Sequence, residues 1–303
     1  MHWQPIVVGV DGSPESVRAA VLGSTMAAAA GAECVIVHAA LDYWSAAAMH
    51  GSGVDMAALD QATREQARVL VQSTLAGSVS DAVLHDMVIR TGAPAAVLAS
   101  VAQERDAELI VVGGKHRRGL ARLAGSTVTN LARLSNRPVI ATDGGSGGIQ
   151  RILAAVDLSH AAAPTIDAAE RMAKLYGAEL RLLHVVEPLP LMPAVQVEVS
   201  DDDMYRAVER HVAATIWPMV TWPTAERVIR RGRTASAIVD EATQWRADLI
   251  VVGSHGKGWV DRIILGSTSE RLLHLLPAIT MVVPAHGPSG VLTSASLTGS
   301  DSA

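Results

Sequence analysis

The stretch that decides the fold is "VIRTGAPAAVLASVAQERDAELIVVGG", residues 88–114, which returns as "VIRRGRTASAIVDEATQWRADLIVVGS" at residues 228–254. Each copy opens on a short apolar run, passes through an alanine-rich segment with helical spacing, and closes on the apolar run LIVV followed by glycine. This order of patterns is typical of a strand, a helix and a second, parallel strand. The stretch therefore predicts an α/β fold.

The repeat extends in both directions from this stretch. "PIVVGVDGS" near the start of the chain returns as "RILAAVDLS", so that Asp11 and Asp157 lie 146 positions apart. His38 and His184 have the same separation, and "GST" recurs 141 positions apart. Motifs that return in the same order at a nearly constant offset predict a duplicated domain. The predicted boundaries are residues 1–143 for the first domain, 144–150 for a Gly/Ser linker, 151–285 for the second domain and 286–303 for a flexible tail.

Each copy predicts five strands that alternate with helices. Continuously apolar strands indicate burial on both faces, as in a doubly wound, Rossmann-like domain with a mostly parallel sheet. We expect Ser13 to cap the first helix and Pro14 to occupy its first position. In the first copy, the predicted strands are 6–10, 35–38, 83–89, 109–112 and 138–141, and helices are predicted at 15–30 and 93–104.

Composition excludes several classes of protein. Hydrophobic residues make up 49% of the chain, aromatic residues only 3%, and the net charge is -5. This charge is too small to indicate nucleic acid or an anionic membrane surface as a partner. Cys34 is the one cysteine, which excludes an intrachain disulfide. The chain enters a strand-like run at once, so we expect no signal peptide and a cytoplasmic protein.

The stretch "GSHGKGWVDRIILGST", residues 253–268, follows the fourth strand of the second copy. In doubly wound sheets ligands bind beyond the carboxyl ends of the strands, and the N–H groups at a helix start bind phosphate. The base and sugar of a nucleotide would then lie against the first two strand ends, where the carboxylate of Asp157 can accept hydrogen bonds. The predicted nucleotide-binding residues of the second copy are Ala155, Asp157, Val185, Gly253, Ser254, His255, Gly256, Lys257, Gly266, Ser267 and Thr268.

Two common nucleotide motifs are absent from the sequence. There is no G-x-x-x-x-G-K-[ST], because Gly258 follows Lys257, and no G-x-G-x-x-G follows the first strand of either copy. The chain is therefore expected to be neither a P-loop NTPase nor a dinucleotide-binding dehydrogenase.

These residues resemble the universal stress protein family in its tandem form. The resemblance rests on "VGVDGS" and "AAVDLS", on "VHAA" and "LLHVVEP", and on the spacing G-x2-G-x9-G-[ST], matched by Gly253, Gly256, Gly266 and Ser267. It implies a cytoplasmic regulatory protein that binds ATP, ADP or AMP, with or without Mg²⁺, and is made under stress or growth arrest. It also implies that the last strands, in "RPVIATD" and "ITMVVPA", pair within one chain as a pseudo-dimer. Further dimerisation and an unidentified protein partner are also expected.

The first copy departs from the family's pattern. It reads "GGKHRRGLARLAGST", with His116 where the second glycine belongs and an interval that is one residue shorter. A side chain at this position would obstruct the phosphate, whereas Lys115 and Arg117 add positive charge nearby. Whether this copy binds nucleotide stays open. Its candidate residues are Gly9, Asp11, Ala39, Gly113, Gly114, Lys115, Arg117, Gly125, Ser126 and Thr127.

Simpler interpretations remain for several of these residues. Asp11 and Asp157 could form turns before a helix. His38 and His184 fit a structural role better than metal binding, and Ser267 fits helix capping or phosphate binding better than catalysis. We therefore predict no catalytic residue and no metal site. Two further functions stay open: a slow ATPase or phosphotransfer enzyme, and an interaction protein that binds no nucleotide.

Overall fold

A computed structural model describes residues 4–40, 56–114, 127–142, 148–188, 201–254 and 265–285. The first half of the chain contains strands β1 Ile6–Val10, β2 Cys34–Ala40, β3 Val88–Thr91, β4 Leu109–Gly113 and β5 Val139–Thr142, and helices α1 Pro14–Ala30, α2 Met56–Leu75, α3 Asp81–His85, α4 Pro94–Glu104 and α5 Thr127–Leu134. The second half contains β6 Arg151–Ala155, β7 Glu179–Val186, β8 Glu226–Arg231, β9 Leu249–Gly253 and β10 Ile279–Val283, with helices α6 Ala162–Tyr176, α7 Asp201–Thr215, α8 Thr234–Trp245 and α9 Ser267–Leu275.

The strands of the described residues form one sheet of ten, in the order β3-β2-β1-β4-β5-β10-β9-β6-β7-β8. Within each half all neighbouring strands are parallel, which confirms the predicted doubly wound fold. β5 and β10 pair antiparallel, with Ile140 opposite Met281. The predicted pairing of the two last strands within one chain is therefore confirmed. Because the two halves run in opposite directions, the carboxyl ends of their strands lie at opposite edges of the sheet.

The ends of the helices show the same local rules in both halves. Ser13 caps α1 by accepting a hydrogen bond from the N–H of Ser16, and Pro14 occupies the first turn, as predicted. Gly31 after α1 and Gly177 after α6 both have φ 64° and ψ 31°, a left-handed conformation that suits glycine. These residues lie at equivalent positions of the repeat, so each half ends its first helix in the same way.

One predicted strand was placed wrongly. Residues 83–89 were expected to be extended, but α3 covers Asp81–His85 and β3 begins only at Val88. Ser80 has the extended backbone of an N-cap, and Leu84 is buried. Apolar residues at 83, 84 and 87 also suit one face of a helix, and a short apolar run does not distinguish the two structures by itself.

Two hydrophobic clusters cover the two faces of the sheet. Successive residues of β1 alternate between them, with Val8 in one cluster and Val7 in the other. The first cluster includes side chains of α1, α2, α6 and α7, and the second includes side chains of α4, α5, α8 and α9. Both clusters contain residues of both halves, so the core is continuous across the β5–β10 pair. Among the described helices, none has a stretch long and apolar enough to cross a membrane.

Candidate functional site

Strand order reverses once in each half, between β1 and β4 and between β6 and β9. After β1 the chain continues to β2 on one side, and after β4 it continues to β5 on the other side. The two connections diverge, so a crevice opens between β1 and β4 at their carboxyl ends. Ligands of doubly wound folds bind in such crevices. In the second half, the residues that follow this reversal are Asp157, two residues beyond β6, and Ser254, directly beyond β9.

The two strand-end aspartates form equivalent turns. Asp157 Oδ1 accepts hydrogen bonds from the Ser159 backbone N–H at 3.0 Å and from the Ser159 hydroxyl at 2.5 Å. Asp11 Oδ1 accepts the same pair of hydrogen bonds from Ser13. The turn-forming interpretation of the sequence is therefore correct. The turn also holds each carboxylate at the carboxyl edge of the sheet, half-buried at Asp157 and exposed at Asp11.

The two histidines have the structural role that the sequence predicted. His184 Nδ1–H donates to the carbonyl oxygen of Val156 at 2.8 Å, and His38 Nδ1–H donates to that of Val10, also at 2.8 Å. Each bond connects the second strand of a half to the residue before the strand-end aspartate. The histidines therefore hold the backbone that carries Asp11 and Asp157 in place.

The start of α9 is held against the end of β9. The N–H of Gly266 donates to the carbonyl oxygen of Ser254 at 2.8 Å, and the Ser269 hydroxyl donates to that of Gly253 at 2.6 Å. Gly266 is the N-cap, and Ser267 and Thr268 begin the helix. Ser267 is exposed and Thr268 half-buried, whereas Ser254 is buried. The beginning and the end of the glycine-rich stretch 253–268 are thus joined by hydrogen bonds, and the N–H groups of the α9 start lie beside them.

Ala155 and Val185 lie near the carboxyl ends of β6 and β7, and their side chains are partly exposed to solvent. The residues before Ala155 in β6, from Ile152 to Ala154, are buried, whereas Ala155 and Val185 are half-exposed. Ala155 pairs with Leu183, two residues before Val185, so both side chains belong to the face that packs against α8 and α9. A flat group placed here would contact the backbone and side chains of β6 and β7.

In the first half, the predicted glycines have packing roles. A Cβ on Gly113 would lie 2.7 Å from the backbone carbonyl carbon of Glu15, and one on Gly9 would lie 2.8 Å from Leu98 Cδ1. Gly114 is buried against Leu276 of the second half. The remaining described candidates of this half are Asp11, half-exposed Ala39 at the end of β2 and exposed Thr127 at the start of α5. These packing roles neither require nor exclude a nucleotide.

The other predicted residues lie outside the described part of the chain. These are His255, Gly256 and Lys257 in the second half, and Lys115, Arg117, Gly125 and Ser126 in the first.

Glu187 is a residue of this region to which the sequence assigned no role. It lies beyond β7, and its Oε1 accepts hydrogen bonds from the Thr234 backbone N–H at 2.9 Å and from the Thr234 hydroxyl at 2.5 Å. These bonds hold the pKa of the Glu187 carboxyl below its ordinary value. α8 has no side-chain cap from its own N-cap residue, Arg233. The carboxylate of Glu187 therefore caps α8 from the neighbouring strand, a contact between residues 47 positions apart that local sequence signals do not reveal.

The arrangement at this edge combines an acceptor with a group of donors. The Asp157 carboxylate lies at the end of β6, and the start of α9 lies at the end of the adjacent strand β9. Ribose and amino groups donate to carboxylates, and helix starts with hydroxyl side chains bind phosphate. Half-exposed Ala155 of β6 and Val185 of the neighbouring β7 provide an apolar surface on the side of Asp157 away from β9. The site can therefore hold a ligand that carries a hydrogen-bond donor, a flat apolar group and a phosphate.

Comparison with known proteins assigns the chain to a family. The model described as "Universal stress protein family" matches residues 2–142 and again residues 148–284. A curated universal stress protein of Mycobacterium bovis is 27% identical over 281 residues, which cover 89% of this chain and 93% of that protein. One from Thermus aquaticus is 31% identical over 134 residues, which cover 44% of this chain and 96% of the relative.

Solved structures resemble this chain over nearly its whole length. A universal stress protein of Archaeoglobus fulgidus shares 19% identity, with a TM-score of 0.62, over 93% of this chain and 96% of its own. A Pseudomonas aeruginosa structure described as that of a putative universal stress protein shares 16% identity, with a TM-score of 0.57, over 93% of both chains. At this level of identity the likeness concerns the fold alone.

Proposed function

Because the chain belongs to the universal stress protein family, we propose that its second half binds an adenine nucleotide, and that the chain acts as a nucleotide-dependent regulatory protein in the response to stress or growth arrest. The ligand is ATP, ADP or AMP. One observation carries the proposal: the hydrogen bonds from Gly266 to Ser254 and from Ser269 to Gly253 place a helix start at the strand-order reversal, beside the strand that leads to Asp157.

Each part of the proposed site has a separate role. The Asp157 carboxylate accepts a hydrogen bond from the ribose or the adenine amino group, and the backbone at Ala155 and Val185 frames the base. The N–H groups and hydroxyls of Ser267 and Thr268 bind the phosphates. Gly253, Ser254, His255, Gly256, Lys257 and Gly266 complete the proposed phosphate loop.

The first half carries equivalent features and is a second candidate site. It retains the Asp11 turn and the half-exposed end of β2, but its sequence has His116 in place of the second glycine. Nucleotide binding there is best decided by stoichiometry, since two working sites would bind two nucleotides per chain and one site would bind one.

The test introduces a negative charge where the phosphates are proposed to bind. Ser267→Asp adds a carboxylate in the first turn of α9, which favours the helix through its dipole but repels phosphate. We expect ATP affinity, measured by calorimetry, to fall by at least about tenfold, which corresponds to about 1.4 kcal/mol. Adenosine, which has no phosphate, should bind the variant and the original protein equally.

The matched control is Ser80→Asp, the same change at the exposed N-cap of α3, far along the chain from the proposed phosphate loop. It should leave ATP affinity unchanged. Equal ATP affinity in Ser267→Asp and the original protein would contradict the proposal. Titrations with and without Mg²⁺, with ADP production followed in the same samples, separate a binding protein from a slow ATPase.

A further inference from the structure

Helix α9 extends from one candidate site to the other. At its start, Gly266 and Ser269 are hydrogen-bonded to Ser254 and Gly253 of the second half. At its end, Leu276 lies against Gly114 of the first half, directly after β4. A helix of this length spans about 13 Å from end to end. Helix α9 thus contacts the proposed phosphate-binding end of the second site at its start. At its end it contacts Gly114, a candidate residue of the first site.

The contact between Leu276 and Gly114 is closely packed. A Cβ on Gly114 would overlap Leu276 Cδ1, so a larger residue at position 114 would force the end of the Leu276 side chain to move. Leu276 is 3% exposed, and its backbone has φ 41° and ψ 61°, a left-handed conformation that leucine rarely adopts. Its N–H donates to the carbonyl oxygen of Leu272 at 2.8 Å. The end of α9 is therefore fixed against the first half at a cost in backbone conformation.

Two further bonds extend this contact into the first site. The N–H of Gly114 donates to the carbonyl oxygen of Thr142 at 2.8 Å, which connects the end of β4 to the end of β5. Arg133 of α5 forms an ion pair with Glu270 of α9, with a separation of 2.9 Å. α5 begins at Thr127, itself a candidate residue of the first site. A movement of α9 would therefore reach both β4 and α5.

The contact differs at the equivalent position of the repeat. In the other copy, Ser254 is the residue equivalent to Gly114, and Ser135 is the residue equivalent to Leu276. The Ser135 hydroxyl makes local hydrogen bonds, since it donates to the Arg137 carbonyl oxygen at 3.0 Å and accepts from the Arg137 N–H at 2.9 Å. The large apolar side chain of Leu276 thus contacts the first half, whereas the equivalent residue of the first half, Ser135, has a small polar side chain that bonds locally.

We propose that α9 couples the two sites, so that a nucleotide bound at Ser267 in the second half changes the first site through Leu276 and Gly114. Leu276 is then a positioning residue of the first site. This proposal rests on the proposed function, because it requires that nucleotide binds the start of α9. Bound phosphate stabilises that helix start, and a more stable α9 holds Leu276 more firmly against Gly114.

The test measures hydrogen exchange at the Gly114 amide in the full-length chain. Asp11→Ala is used as the background, because it weakens direct binding at the first site, and calorimetry checks that one ATP binds per chain. Saturating ATP should slow exchange at Gly114 by about fivefold, within the usual range of coupling between sites. With Leu276→Ala added, this slowing should disappear while ATP affinity at the second site stays unchanged.

Leu275→Ala is the matched control, since it removes the same number of atoms from the neighbouring, more exposed leucine of α9. It should retain the slowing, as should Leu276→Met, which keeps the volume of the side chain. ATP binding without any change at Gly114 would overturn the coupling and leave the proposed function standing. Loss of the slowing in Leu275→Ala as well would also overturn it. Absence of ATP binding from the original protein would instead overturn both proposals.

Discussion

Gly113 lies at a strand end near the candidate site of the first half and also packs closely against helix α1. It lies at the end of β4, beside the strand that leads to Asp11, and also under the first turn of α1. A Cβ at this position would lie 2.7 Å from the Glu15 carbonyl carbon and 2.8 Å from the Ser16 N. These are backbone atoms of a capped helix, so they cannot move aside as the end of a side chain could. Glycine is thus required for packing here, whether or not a ligand approaches.

We therefore predict that Gly113→Ala lowers the free energy of unfolding by about 2 kcal/mol, the usual cost of forcing an extra carbon into a packed region. Urea denaturation measures the effect. Gly148→Ala is the control, because a Cβ there would meet nothing within 4 Å, and it should change stability by less than about 0.5 kcal/mol. Equal stability of the two variants would show that packing does not require this glycine.

Helix α8 depends on a neighbouring strand for its first hydrogen bonds. Its N-cap residue, Arg233, makes no side-chain cap, and the exposed Glu187 beyond β7 accepts from Thr234 instead. These bonds lower the pKa of Glu187 in the folded protein. A lowered folded-state pKa means that the ionised carboxylate stabilises the folded state at neutral pH, and that this contribution is lost as the pH falls below the ordinary carboxyl pKa.

For the same reason Glu187→Ala should cost about 1 kcal/mol of folding stability at pH 7, as other lost helix caps do. The difference between variant and original protein should shrink at pH 3, where the carboxyl group is increasingly protonated. Urea denaturation at the two pH values measures both effects. Thr234→Val, alone and combined with Glu187→Ala, completes a double-mutant cycle. Additive effects of the two substitutions, or a difference independent of pH, would contradict this account of α8.

At the scale of the molecule, the two halves share their hydrophobic core. Ile36 of β2 and Leu182 of β7 are equivalent residues of the repeat, both 0% exposed, and both belong to the same cluster. The antiparallel β5–β10 pair joins the sheets, and an ion pair between Glu108 and Arg171, 2.5 Å apart, connects the halves beside it. Two strand edges that would otherwise be exposed are thereby covered.

A shared core predicts that both halves unfold together. Ile36→Ala should lower stability by about 3 kcal/mol, as for other large-to-small substitutions in a core. Calorimetry should show one transition at a lower temperature, and Leu182→Ala should give the same result from the other half. Two transitions in the Ile36→Ala variant, with one of them at the original temperature, would show that the halves unfold independently.

The sequence alone determined the repeat, the α/β class and the parallel direction of the strands within each half. Alternation between strand and helix is a local pattern, since short continuous apolar runs separated by capped helices suit one kind of sheet. The cap by Ser13, the position of Pro14 and the turns at Asp11 and Asp157 involve residues a few positions apart, so local sequence was enough to predict them. The strand expected at residues 83–89 failed because a short apolar run fits a helix equally well.

The tertiary structure alone decided which distant residues meet. Glu187 caps α8, buried Glu241 pairs with Arg181 60 residues away, and Leu276 covers Gly114 in the other half. No periodicity or motif marks these contacts, because they arise only when strands far apart in the chain become neighbours in the sheet. The physical reason is that side-chain packing and ion pairing depend on distance in space, whereas sequence patterns report the residues adjacent along the chain.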